Sequence, residues 1–560
     1  MSISIQKKIG QLIMMDFRYW GGDSNGHPIP FKIPNKIILE LFSKYNLGSF
    51  ILFKENLEDN KQILTILRAL QEASSTPLLF GIDQEGGRVN RLQQGTSTCG
   101  NMAIGATGDP ENARVLSKLI GDELYALGFN LNFAPVADIN SNPKNPIIGV
   151  RAYSDNPSDV LKMVKSSIQG YKQANIIPCI KHFPGHGNTE LDTHLGIVTI
   201  DSNRERLDNI ELSPYSHLCN NDYDAVMTAH ISVPALDDTK FRSLGGEVCM
   251  PASLSYKITT ELLKEKLNFK GLVITDAMDM KAISASLNPV EALKRTILAG
   301  TDIAMMPVRV WSEDCIYKLD ELFVELEKEY LNNSVFAKRI DESYNKIMKF
   351  KSDKKLDESP LFTMTYEEQL QNANKIVNSQ KHKYIELDIA KKAITITRKT
   401  KMLPVKLKDS LNLLIVDSDN ARLNSFSTIT QSIASEYNCR LNIVTRDILY
   451  DLRNDILQSD LVIIVSESLK KYSIEYSKIN QLAKVKSINI AALTPYDINY
   501  MDSVENYVCI YGATSMDQTN YTKTILEVNI EAGLMSIFAT PTGKIINAAN
   551  GTLPVNLDQI

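Results

Sequence analysis

The residues best suited to chemistry are concentrated in one stretch, Lys181-His-Phe-Pro-Gly-His-Gly-Asn-Thr-Glu-Leu-Asp-Thr-His194, which holds three of the chain's seven histidines in fourteen residues. It follows an apolar run, Ile176-Ile-Pro-Cys-Ile180, that reads as a buried strand, and its own glycines, proline and asparagine read as a loop. Charged and titratable groups thus emerge where a strand ends. Asp192 and His194 lie two residues apart. A carboxylate that near an imidazole can hold its tautomer and raise its pKa, giving a proton donor usable near neutral pH. Two other readings stand beside this one. The histidines can be merely solvated in a polar turn, or His182 and His186, four apart, can be metal ligands together with His194. The i,i+4 spacing aligns ligands only on a helix, and Pro184, Gly185 and Gly187 oppose a helix there.

A second segment, Leu272-Val-Ile-Thr-Asp276, ends an apolar strand with a carboxylate. Facing the Asp192/His194 loop, Asp276 would complete the two groups of a retaining glycosidase: one attacks the anomeric carbon, the other protonates the leaving oxygen and then activates water. The plainer reading of Asp276 is a cap for the following helix. Asp279 is a rival carboxylate, read as a helix-start residue because it lies past the strand end.

These groups need a scaffold that presents several strand ends at one place. Over the first 350 or so residues, apolar runs at 12–16, 48–53, 78–83, 131–138, 176–180, 225–230, 271–276 and 302–306 alternate with helix-like stretches such as 60–73, 111–127, 253–267 and 289–298. Strand-then-helix order with apolar strands predicts a parallel sheet buried on both faces. Asp83, Asp138, Lys181, His182, His230 and Asp276 all fall at the ends of such runs. Polar residues at many strand ends fit the catalytic face of a TIM-like (β/α)8 barrel, whereas an open sheet gathers its site at one switch point.

At 560 residues the chain has room for two or three domains. The expected division is a barrel over 1–355, a charged linker over 356–385 and a smaller α/β sandwich domain over 386–560. Strands at 413–416, 441–444, 461–465, 488–493 and 507–510 would build the second unit, with helices near 427–435 and 475–483. Neither GxGxxG nor GxxxxGK[ST] occurs, so nucleotide binding has no support. The net charge of −5 gives no reason to expect nucleic acid or an acidic membrane surface as partner, and none is expected. Seven scattered cysteines without a CxxC pair read as reduced thiols. The N-terminus lacks a signal-peptide pattern and no run approaches 18 apolar residues, so a cytoplasmic protein is expected.

Lys181-His-Phe-Pro-Gly-His-Gly with Asp192-Thr-His194 resembles the signature of glycoside hydrolase family 3, in its bacterial β-N-acetylglucosaminidase branch. Asp83-Gln-Glu-Gly-Gly-Arg-Val-Asn-Arg91, Asn132-Phe-Ala-Pro-Val-Ala-Asp138, Ile148-Gly-Val-Arg151, Val226-Met-Thr-Ala-His230, Pro251-Ala-Ser-Leu-Ser255 and Ile274-Thr-Asp276 match further blocks in order, over roughly residues 5–350. The resemblance implies Asp276 as nucleophile, His194 as acid/base and Asp192 as its orienting partner. It carries the sugar-binding positions to Asp83, Arg91, Arg151, Lys181 and His182; for Arg91 a structural ion pair is the alternative. Glu85 and Arg88 are expected to stabilise their loop, and His186 and His230 to orient neighbours. The chain departs from the pattern at Asn188, where aspartate is more usual, and at Thr193, where serine is. The second half resembles more weakly the family's sandwich domain, through Pro541-Thr-Gly-Lys544 and Leu553-Pro-Val555. In members acting on glucosides that domain can supply an acidic glutamate, which the Asp192/His194 pair makes unnecessary here.

The implied activity is removal of terminal β-linked N-acetylglucosamine, from peptidoglycan fragments, with no cofactor and no metal. Its alternatives are a phosphorylase on the same site, a β-glucosidase of the same family, a zinc hydrolase and a non-catalytic sugar-binding protein.

Overall fold

The computed structural model describes residues 3–190, 197–218, 223–243, 246–467, 472–500, 504–516 and 523–559. Eight strands form the first unit: β1 (Ile13–Met15), β2 (Ser49–Leu52), β3 (Leu79–Ile82), β4 (Leu131–Asn132), β5 (Ile177–Phe183), β6 (Ala225–Thr228), β7 (Leu272–Thr275) and β8 (Ala304–Met305). Each pairs in parallel with the next, and β8 returns to β1 through Ile13↔Ala304. A parallel bridge from Ile274 to Ile303 joins β7 to β8, so the barrel closes. All the residues of these eight strands are buried, which is why their sequences are continuous apolar runs and not alternating ones.

The helices between them begin where a side chain can satisfy the free N–H groups of the first turn. Asp59, Asp109, Asn156 and Asn288 cap Asn60–Ala73, Pro110–Leu127, Pro157–Gln173 and Pro289–Ala299 in this way. Gly128 and Gly300, both with positive φ, end two of them.

The second unit is a six-stranded sheet, β9 (Thr395–Arg398), β10 (Asn412–Asp417), β11 (Asn442–Asp447), β12 (Leu461–Ser466), β13 (Ser487–Ala491) and β14 (Tyr507–Cys509). Its order is β9-β14-β13-β12-β10-β11, parallel except for β9. Strand β9, which the sequence reading lacks, is half-buried, antiparallel and interrupted by a bulge, so no apolar run announces it.

The stretch expected as an exposed charged linker is helical and docked. Pro360–Thr363, Tyr366–Ile376 and Gln380–Ala393 are helices. Gln369 is buried against the barrel and accepts from Arg68 Nε at 3.0 Å. Lys351, at the head of that charged stretch, is also buried, donating to Gln11 Oε1 at 2.8 Å and the Gly48 carbonyl at 2.7 Å. Burial pushes its pKa down to about 7. Composition marks a charge but not the carbonyls waiting to receive it. One continuous apolar cluster runs from the barrel helices into the strands of the second sheet, so the two units share a core. Among the described residues no helix is long and apolar enough to cross a membrane.

Candidate active site

The C-terminal ends of the barrel strands converge on a cavity of about 330 Å³. It is lined by Asp83, Arg91, Arg151, Lys181, His182 and Asp276, so six of the eight residues singled out in the sequence meet there. The other two, Asp192 and His194, lie outside the described residues.

One wall is a buried ion cluster. Lys181 Nζ stands 2.7 Å from Asp83 Oδ1 and 2.7 Å from Glu85 Oε1. Arg151 grips the same Glu85 with two parallel bonds, Nε to Oε2 at 2.9 Å and Nη2 to Oε1 at 2.8 Å. Burial alone would raise the pKa of Glu85, but Arg151 and Lys181 outweigh it and hold the carboxyl well below the usual range. Glu85, Lys181 and Arg151 therefore stay charged although they are buried. Glu85 belongs to the cavity wall as well as to its loop. An aspartate that holds a lysine with one oxygen can still accept a sugar hydroxyl with the other, and an ammonium has three N–H groups to share.

The turn that carries these acids depends on glycine. Gly86 and Gly87 both have positive φ, and a Cβ on Gly87 would stand 2.5 Å from the Gly100 Cα. The Glu85 and Gly86 N–H groups both bond the Val89 carbonyl, at 3.1 and 3.0 Å.

A second wall is set by Asp138, fully enclosed beyond the end of β4. Its carboxylate accepts from His182 Nδ1 at 2.7 Å and from the His186 N–H at 2.7 Å. Burial would raise its pKa, but His182 lowers it below the ordinary value. Since the carboxylate only accepts, Nδ1 of His182 carries the proton and Nε2 remains for the cavity. Asn145 fastens the following loop, donating to the His186 and Gly187 carbonyls at 2.9 and 2.8 Å. Gly187 is required by contact, because a Cβ there would fall 1.6 Å from the Ile139 carbonyl oxygen. Burial and the neighbouring His182 push His186 down to about 4, so it is neutral near pH 7. The foot of the 181–190 loop is thus rigidly held.

Opposite stands Asp276, directly after β7. Its N–H bonds the Thr228 carbonyl at 2.9 Å, and its Oδ1 accepts from the Ala277 N–H at 2.8 Å. It caps no helix: the next one begins at Lys281 with Met280 as its cap. Behind it, His230 Nε2 contacts the Ala277 carbonyl at 3.0 Å and Nδ1 contacts Ser253 Oγ at 2.7 Å. A carbonyl can only accept, so Nε2 carries the proton; burial lowers the His230 pKa and keeps the ring neutral. His230 thus stands behind Asp276 as a neutral ring that holds the Ala277 carbonyl.

The sequence reading missed the third wall. Arg18, Phe53, Arg309 and Trp311 line the cavity from beyond β1, β2 and β8. The Arg18 guanidinium lies 3.5 Å above the Phe53 ring and is buried. Trp311 Nε1 donates to the enclosed Asp16 at 3.2 Å; burial pushes Asp16 up to about 6. Asp279, expected at a helix start, instead lines the cavity and accepts from Arg309 Nε at 3.1 Å. Asp16 and Trp311 lie 295 positions apart in the chain, and no local motif joins them.

Among the described residues no group of three His, Cys, Asp or Glu side chains converges as metal ligands. The arrangement suits a polyol: many fixed donors and acceptors beside aromatic rings, with the Asp276 carboxylate at the end of β7 among them.

Comparison with known proteins agrees with this reading. Residues 4–350 match the family model described as glycosyl hydrolase family 3 N terminal domain. The chain is 34% identical over 512 residues to "Beta-hexosaminidase A" of Pseudoalteromonas piscicida, covering 87% of this chain and 83% of that one. A solved glycoside hydrolase family 3 β-N-acetylglucosaminidase from Paenibacillus sp. str. FPU-7 superposes with a TM-score of 0.78 at 26% identity, covering 99% of both chains. A fungal multi-domain family 3 β-N-acetylglucosaminidase gives 0.80 at 27% identity; it covers 99% of this chain, which spans 61% of that longer one. The chain belongs to glycosyl hydrolase family 3.

Proposed function

We propose that this enzyme is a retaining, exo-acting β-N-acetylglucosaminidase that forms a covalent glycosyl intermediate on Asp276. The observation that carries the reading is the position of Asp276, a strand-end carboxylate facing a wall of fixed sugar-binding groups in one cavity. Names of relatives similar along most of the chain support the acetamido sugar.

In this reading Asp276 attacks the anomeric carbon, and the Ala277 N–H holds one of its oxygens so that the other is aimed. Asp83, Arg91, Arg151, Lys181 and His182 grip the terminal sugar. Charge-assisted hydrogen bonds of this kind contribute about 1.5–3 kcal/mol each. His194, oriented by Asp192, protonates the leaving oxygen and then takes a proton from the attacking water. The fixed foot of the 181–190 loop supports that role. The natural substrate we assign is a peptidoglycan fragment ending in β-linked N-acetylglucosamine. We place the enzyme in the cytoplasm, where the unpaired cysteines among its described residues would stay reduced.

The test is turnover of an aryl β-N-acetylglucosaminide by the wild type and His194→Ala, with the matching β-glucoside as control. Loss of about 10²–10⁴-fold in His194→Ala on a poor leaving group, and far less on a good one, is expected for a general acid. A preference for the glucoside, full activity of His194→Ala, or sugar 1-phosphate as the main product in phosphate buffer would contradict the reading.

A further inference from the structure

A carboxylate of the second unit, Glu467, approaches Arg88 on the glycine turn beside the catalytic cavity. Glu467 directly follows β12, and Asp417 ends β10, so both stand at the C-terminal edge of the second sheet. Arg422 is buried and held by Asp417, with Nε to Oδ2 at 2.8 Å and Nη2 to Oδ1 at 2.6 Å. Its Nη1 donates to Glu467 Oε2, while Thr514 Oγ1 donates to Glu467 Oε1 at 3.1 Å. The carboxylate so fixed faces the barrel, where Oε1 lies 3.9 Å from Arg88 Nη1.

Arg88 is part of the glycine turn that also bears Asp83 and Glu85. Two glycines separate it from Glu85, which holds both Lys181 and Arg151. Burial and the nearby Arg151 both disfavour the charge on Arg88, and Glu467 opposes them. The second unit ties down the rest of this loop as well. Asn529 Nδ2 donates to the Cys99 carbonyl at 3.0 Å, and Glu386 accepts from the Thr98 N–H at 2.6 Å. The Ser97 carbonyl in turn accepts the Gly87 N–H at 2.7 Å.

We propose that Glu467 is a positioning residue for sugar binding: through Arg88 it sets the turn that carries Asp83 and Glu85, and so makes the second domain part of the barrel's binding site. This rests on the assignment of Asp83, Lys181 and Arg151 to the sugar. It gives the domain a defined task without giving it a catalytic residue.

Full-length Glu467→Gln keeps the shape and removes the charge. The turn should then bind sugar less well, raising KM for an aryl β-N-acetylglucosaminide about tenfold, as loss of one charge-assisted contact does, with kcat within about twofold. Glu467→Asp, which restores the charge, should recover most of the loss. In the Arg88→Gln/Glu467→Gln double variant KM should rise no further, because the two act as one unit. Unchanged KM in Glu467→Gln, no recovery in Glu467→Asp, or additive losses in the double variant would overturn the proposal. Should Glu467→Gln not fold, Thr514→Val removes only one hydrogen bond to Glu467. A KM rise of about threefold there supports the proposal and an unchanged KM refutes it. Asp83→Asn in the same assay tests the sugar-site assignment separately: an unchanged KM there would refute that assignment whatever Glu467 does.

Discussion

Two networks of buried charge stand at opposite ends of the barrel and use the same residue types. At the cavity end, Asp83, Glu85, Lys181 and Arg151 neutralise one another. At the other end Asp302, just before β8, accepts from Arg339 at 2.8 Å, Lys346 at 2.7 Å and the Val273 N–H at 3.0 Å, with Lys264 at 3.3 Å. Asp302 is sealed, whereas Asp83 keeps 17% of its side chain exposed to the cavity. A cluster of charge is therefore no mark of function by itself. What separates the two is an opening beside them, at the face where a parallel barrel collects its loops.

The comparison can be broken by mutation. The largest effect is expected at Asp276. Asp276→Ala should lower kcat/KM by roughly 10⁴- to 10⁶-fold, the range for loss of a nucleophile or its partner, with little change in the urea midpoint. Asp302→Asn should do the reverse. Removing one partner of a buried ion network costs about 3–5 kcal/mol, read from urea unfolding, while kcat/KM stays within about twofold. Burial opposes ionisation of Asp302, but Lys346, Lys264 and Arg339 hold its pKa far below the ordinary 3.8. Its contribution is complete above that unfolded value and is lost as pH falls through the lower native one. On the acid side the gap between wild type and Asp302→Asn should thus narrow only below about pH 4.

A smaller effect is expected at Arg18. Its position over Phe53 in the cavity wall predicts that Arg18→Met raises KM about 10- to 100-fold and leaves stability nearly unchanged. The smallest concerns Asp16, whose pKa is raised to about 6 by burial. A raised carboxyl favours folding in its protonated form. That contribution is complete below the unfolded value of 3.8 and is lost as pH rises through about 6. Asp16→Asn should remove this part of the pH dependence of stability, as unfolding curves between pH 4 and 8 would reveal.

The same contrast explains what was legible in the sequence. Lys181, His182 and Asp276 each end a long apolar run, so the strand reading also located them on the barrel's mouth. Asp83 and Asp138 were found in the same way. Arg18, Phe53, Arg309 and Trp311 were not, because their wall exists only once β8 pairs with β1 and brings the two ends of the barrel together. Asp302 was invisible for a related reason: Arg339 and Lys346 lie on a helix that reads as amphipathic and exposed until its docking is known. Lys351 on the same helix is buried by the same docking. Charge pairing across distant segments is a tertiary fact.

The most direct test of the central claim is to trap the reaction intermediate. A fluorinated N-acetylglucosaminyl fluoride slows release of the sugar more than its transfer, and peptide mass spectrometry then locates the adduct. One fluorinated N-acetylglucosaminyl adduct is expected on the peptide containing Asp276, formed with loss of the anomeric fluoride and absent in Asp276→Ala. An adduct on another carboxylate, or time-dependent inactivation of Asp276→Ala at the wild-type rate, would contradict it.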